Sequence, residues 1–185
     1  MRPVYQALLG IVLLASLSTT GIGAENKHGV GFGTNFANVD SDVFFDDEDH
    51  DGFSIYGKIG ITDKWGIFIV YRDMEDDEDF SGGFEQTYEQ IGVRALRMWR
   101  PDMRVRPHVA FGVTQTDFDA TGVGFSASDD GIGISVSGGL EAGSQRIAFF
   151  SEYSITVVDL SGLAQPIGDD DTTITDLVLG IMFKF

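Results

Sequence analysis

In the stretch DDEDHDG, Asp47, Asp49 and Asp51 recur at alternate positions and Gly52 follows, which is how a calcium loop opens, with carboxylates converging on one ion. The match is partial, because the twelfth position counted from Asp47, where such a loop carries a bidentate Glu, is Lys58. These three aspartates are a candidate Ca²⁺ site, and loose screening of the acidic loops by Ca²⁺ or Mg²⁺ is the competing use. No other cofactor is expected. The histidines His28, His50 and His108 stand in no recognisable pattern with a serine or acid, although His50 is flanked by Asp49 and Asp51. An exposed acid-base pair or, more simply, a solvated charge run is expected there, and no catalytic residue is assigned. The chain is not read as an enzyme.

A second set is scattered along the chain: Lys58, Arg72, Arg94, Arg106, Glu141, Glu152, Asp176 and Lys184, with His108 among them. Charges of both signs brought into one narrow interior should pair, since breaking a buried pair commonly costs about 3–5 kcal/mol. The expected network sets Glu152, Glu141 and Asp176 against Arg94, Arg106 and Lys58. Lining of an ion path is the functional alternative. His108 is expected to pack in the same interior.

The elements that must position these residues are strands. In the last segment Leu177, Leu179, Ile181, Phe183 and Phe185 recur every second residue, with Asp176, Gly180 and Lys184 between them. The same period marks eight candidate strands, at 28–37, 52–62, 66–74, 86–99, 104–117, 131–142, 146–157 and 173–185. Each is long enough for the roughly 9–11 residues that a tilted strand needs to cross a bilayer. No segment carries a capped helical stripe, so the fold is expected to be all-β.

The connections are of two kinds. Those at 62–65, 100–103 and 143–145 are tight, whereas 38–51, 75–85, 118–130 and 158–172 are long and acidic. Short turns at one end and long loops at the other define an up-and-down antiparallel barrel, and outer-membrane barrels put the short turns in the periplasm and the long loops outside the cell.

Residues 1–24 carry Arg2, a short apolar run and small residues ending in Ala24, which predicts a secretory signal peptide and leaves 25–185 as the barrel domain. The formal charge of −17 argues against nucleic acid as a partner, and the absence of cysteine excludes a disulfide framework.

Which face meets solvent is the remaining question. Phe53, Ile55, Ile59 and Ile61 oppose Ser54, Tyr56, Lys58 and Thr62, and the later strands split in the same way. A soluble lipocalin-like periplasmic binding barrel would put the apolar set inside. Three features favour the apolar set outside. Glycines such as Gly92, Gly112 and Gly180 recur on the polar face, where a crowded lumen needs small residues. Trp65 and Trp99 flank tight turns, as an interfacial girdle requires. Phe185 stands flush with that girdle. Arg97 then faces lipid near the interface, and Pro107 calls for a bulge or a strand start.

The segments YGKIGITDKWGIFIVYR, RVRPHVAFGVT and GGLEAGSQRIAFFSEYS and the final strand ending in Phe together resemble the small outer-membrane β-barrel family of the OmpA/OmpX type. The resemblance covers nearly the whole chain after the signal peptide. It implies a monomeric eight-stranded antiparallel transmembrane β-barrel in the bacterial outer membrane, among lipid and lipopolysaccharide. It also implies delivery by the barrel assembly machinery, with Leu179, Ile181, Phe183 and Phe185 as the recognition signal. A structural or surface-interaction role, such as envelope integrity or adhesion, is expected, and a small ion or solute channel is the alternative.

Overall fold

The computed structural model describes residues 28–41, 45–76, 85–99, 101–122, 124–159 and 171–185. The expected signal peptide lies outside the described residues, as do parts of the expected long loops. The described chain is eight strands: β1 Gly29–Ser41, β2 Phe45–Gly60, β3 Trp65–Asp76, β4 Glu85–Met98, β5 Val105–Gly122, β6 Phe125–Gly143, β7 Ile147–Asp159 and β8 Asp171–Lys184. Each pairs antiparallel with its neighbours in sequence, and β1 also pairs with β8, so the sheet closes into a barrel. At the seam, His28 N donates to Phe185 O at 3.3 Å and Phe185 N donates to His28 O at 3.0 Å. Closure removes the sheet edge, which is what lets strands sit in lipid without orphaned backbone groups.

Hydroxyls hold the turns after β2 and β6. Thr62 Oγ1 accepts from Lys64 N and Trp65 N, and Ser144 Oγ accepts from Arg146 N and Ile147 N. A side-chain oxygen in such a position completes the backbone hydrogen bonding that a tight reversal would otherwise leave open.

At the other end the strands outrun their expected limits. β2 begins at Phe45 rather than 52, and β5 and β6 run to Gly122 and from Phe125, so 118–130 is almost wholly a paired hairpin instead of a long loop. The reason is visible in the residues, because the period of two does not stop at the acidic stretch. Phe118 and Ala120 remain buried inside, while Asp117 and Asp119 alternate with them. Gly124, at φ 80°, lies in the reversal. The same extension carries His50 inward, to 2% exposure against Tyr88, which corrects the expectation of a solvated histidine.

The apolar faces point outward. Phe111, Ile132, Ile134 and Phe149 are among the most exposed residues of the wall, whereas Arg72, Arg94, Glu141 and Glu152 are buried within it. This overturns the lipocalin-like alternative. Pro107 is the third residue of β5, and the pairing with β6 shows no register shift there. Its carbonyl accepts from Trp99 N, so its missing N–H faces the side on which β4 has already ended, and a strand start suffices.

Candidate functional site

The interior is where this sequence concentrates chemistry, and alternation delivers it there. Every second residue of each strand projects inward, so charged side chains from β2 to β8 enter one lumen. Lys58, Arg72, Arg94, Arg106, His108, Glu141, Glu152, Asp176 and Lys184 are all buried. They sort into two clusters.

The central cluster is built on Glu152. Its Oε1 accepts from Arg94 Nη1 at 3.0 Å, from Arg72 Nη2 at 3.3 Å and from the Tyr56 hydroxyl at 3.0 Å. His108 Nε2 stands 3.5 Å from the other oxygen. Arg72 also reaches Asp176 Oδ2 at 3.0 Å, and that oxygen accepts from Ser154 Oγ at 3.3 Å. Two guanidinium groups thus meet two carboxylates, and the cluster is balanced. Around it Gln90 links Arg72 to Thr116, and Ser54 donates to Asn35.

The second cluster lies at the short-turn mouth, where Glu141 accepts from Lys58 at 2.8 Å and Lys184 at 2.6 Å and forms an ion pair at 2.9 Å with Arg106, whose guanidinium donates to Met103 O and Ser144 O. Here three cations share one carboxylate. A cavity of about 330 Å³, lined among others by Lys58, Arg106, Glu141 and Lys184, opens beside them.

Apolar residues fill much of the remaining lumen. Tyr56, Phe68, Leu96, Phe150 and Met182 belong to one packed cluster, with Tyr56 and Phe150 edge to face at 4.9 Å. Met74, Tyr88, Phe118, Val158 and Ile174 belong to another, towards the long-loop end. Small residues make room for large ones: a Cβ at Gly139 would stand 2.8 Å from the His108 ring.

The structure brings Glu152 to Arg94, and Glu141 to Arg106 and Lys58. Asp176 meets Arg72 rather than a member of the expected trio, and Lys184 joins Glu141. Tyr56, Gln90 and Ser154 complete the central cluster although sequence does not single them out; their only signal there is a place on the polar face. Leu179, Ile181, Phe183 and Phe185 are all exposed on the outer wall. Arg97 is outside too, with its guanidinium 4.9 Å from the Trp65 ring centre and 5.7 Å from that of Trp99.

The aspartates of the candidate calcium loop lie in β2, and the side chain of Asp47 falls outside the described residues. Asp49 and Asp51 are exposed and pair across the ladder with Asn38 and Phe36. An extended strand spaces alternate residues about 7 Å apart and does not wrap them around an ion. Among the described residues no group of three or more His, Asp or Glu is arranged to hold a metal.

Charge is strongly divided along the barrel axis. The segments 38–51, 75–85, 118–130 and 158–172 contain many acids and not one Lys or Arg. Lys64, Arg97, Arg104 and Arg146 instead lie in or beside the short turns.

Among solved structures, the barrel is similar to Neisserial surface protein A (TM-score 0.72, 12% identity, covering 88% of this chain and 100% of that one). It is also similar to Ail, the attachment invasion locus protein of Yersinia pestis (TM-score 0.64, 15% identity, 88% and 100%), and to the outer membrane protein OprG of Pseudomonas aeruginosa (TM-score 0.51, 15% identity, 88% and 98%). At these identities the likeness is one of fold. No curated protein matches the chain in sequence. The family model described as the outer membrane protein beta-barrel domain matches residues 7–185, and the chain belongs to that family.

Proposed function

We propose that the protein is a monomeric, non-catalytic barrel that strengthens the bacterial outer membrane and meets its surroundings through its acidic extracellular end, with its lumen closed. The observation that carries this reading is the filling of the lumen. Arg72, Arg94, Glu152 and Asp176 cross-brace β3, β4, β7 and β8, and apolar clusters pack around that brace. An eight-stranded barrel has an interior only just wide enough for side chains, so such a filling leaves little path for solute. His108 faces a carboxylate already engaged by two arginines, which suits packing better than proton transfer.

Lipopolysaccharide is anionic, and so are the segments that emerge beside it. Ca²⁺ or Mg²⁺ held loosely between the two would let them coexist, while a polyanion would be repelled. Ail has been solved with the heparin analogue sucrose octasulfate; the acidic end of this chain suits a cationic partner instead. In this reading residues 1–24 direct export, and the outer face of β8 is offered to the assembly machinery.

Conductance in planar bilayers tests the closed lumen. The folded protein should give no discrete steps. Regular unit conductance would install the small-channel alternative in its place.

A further inference from the structure

The two charged clusters of the lumen differ in a way that a plug does not require. The central one is balanced, but at the mouth Lys58, Arg106 and Lys184 converge on one carboxylate among the described residues, Glu141, leaving an excess of positive charge beside a cavity of about 330 Å³. These cations are 8%, 6% and 8% exposed, so water screens them poorly. Asp63, Asp102 and Lys64 also line the cavity, but they sit in exposed turns, where solvent weakens their influence.

Donor capacity is unfilled as well as charge. Each ammonium carries three donors, and the hydrogen bond found for each goes to Glu141. The Arg106 guanidinium is already engaged, with Nη1 donating to Met103 O at 3.5 Å and Nη2 to Ser144 O at 3.4 Å, so the open donors at the cavity are those of the two ammonium groups. Two ammonium groups with open donors beside an arginine's charge suit a tetrahedral oxyanion; a phosphate ion carrying a charge of about −1.5 to −2 would offset the excess, and a phosphodiester, at about −1, would offset part of it.

We propose that the short-turn mouth is a phosphate-binding site, in which Lys58 and Lys184 hold the oxyanion, Arg106 adds its charge and Glu141 keeps the cations assembled. The phosphate can belong to a free ion or to a phospholipid headgroup, which share the tetrahedral oxyanion and differ in charge.

The test is calorimetric titration of the full folded barrel in nonionic detergent with inorganic phosphate and, separately, with glycerophosphoglycerol as a soluble headgroup. Both are run at constant ionic strength against chloride. Saturable one-to-one binding is expected, and the probe that binds tighter identifies the source. Lys58→Met should weaken it by about tenfold or more, the scale of one charge-assisted hydrogen bond. Glu141→Gln, by removing the internal competitor, should strengthen it. Heat-modifiable gel mobility checks that each variant is folded; should Glu141→Gln not fold, Lys184→Met replaces it and should weaken binding as Lys58→Met does. Unsaturable heats from both probes, or affinity unchanged by Lys58→Met, would overturn the site.

Discussion

Arg94 of β4 reaches across the lumen to Glu152 of β7, with Nη1 3.0 Å from Oε1, and each side chain is only 1% exposed. Without the acid, Arg72 retains Asp176, while Arg94 retains no ion-pair partner among the described residues. Glu152→Ala should therefore destabilise the barrel by about 3–5 kcal/mol. In an Arg94→Met background the same substitution should cost clearly less. Urea unfolding in detergent, read by tryptophan fluorescence, measures both, and additive effects would show that the pair is not coupled.

Depth decides what a charge on the outer wall costs. Arg97 sits against Trp65 and Trp99 beside the short turns, whereas Val93, on the same face of β4, is further into the wall. Arg97→Ala should change stability in lipid vesicles by no more than about 1 kcal/mol, while Val93→Arg should cost about 2–4 kcal/mol. Equal effects at the two positions would contradict the placement of Arg97 at the interface.

The lumen face is legible in the sequence because a period of two sorts side chains without reference to anything else, so Glu152 and Arg94 can be assigned to one interior. Pairing is less legible. Whether Asp176 meets Lys58 or Arg72 depends on strand register and tilt, which alternation does not encode. The strand ends escape for a different reason. Bilayer thickness sets how much of a strand must be apolar outside, but pairing in water continues beyond it wherever inner residues such as Phe118 and His50 still find a packed interior.

Glycine on the inner face makes room for an aromatic ring. A Cβ on Gly180 would stand 2.6 Å from atoms of the Phe150 ring and would also clash with the Phe32 carbonyl oxygen. The ring can shift, but the backbone oxygen belongs to the β1–β8 ladder and moves only with the seam. Gly180→Ala should cost about 1–3 kcal/mol, the range for overpacking. Adding Phe150→Leu should recover only part of that loss, because the carbonyl contact remains. Full recovery in the double variant, measured by urea midpoint, would assign the whole clash to the ring.

The acidic end makes a prediction about salt rather than about packing. The segments 38–51, 75–85, 118–130 and 158–172 hold no Lys or Arg that could neutralise their carboxylates, and Asp49 and Asp51 are exposed on one face of β2. In a bilayer that contains anionic lipopolysaccharide the like charges should repel, and a divalent cation should relieve the repulsion more effectively than Na⁺ at equal ionic strength. Millimolar Mg²⁺ should thus raise the unfolding temperature of the barrel in lipopolysaccharide-containing bilayers, and EDTA should lower it, whereas both should have little effect in zwitterionic vesicles. The double substitution Asp49→Asn with Asp51→Asn should shrink the Mg²⁺ effect without removing it, because the other acidic segments remain. An equal Mg²⁺ effect in both membranes would mean that the cation acts on the barrel alone, and a collapse of the effect on losing these two aspartates would point to one specific site in place of distributed screening.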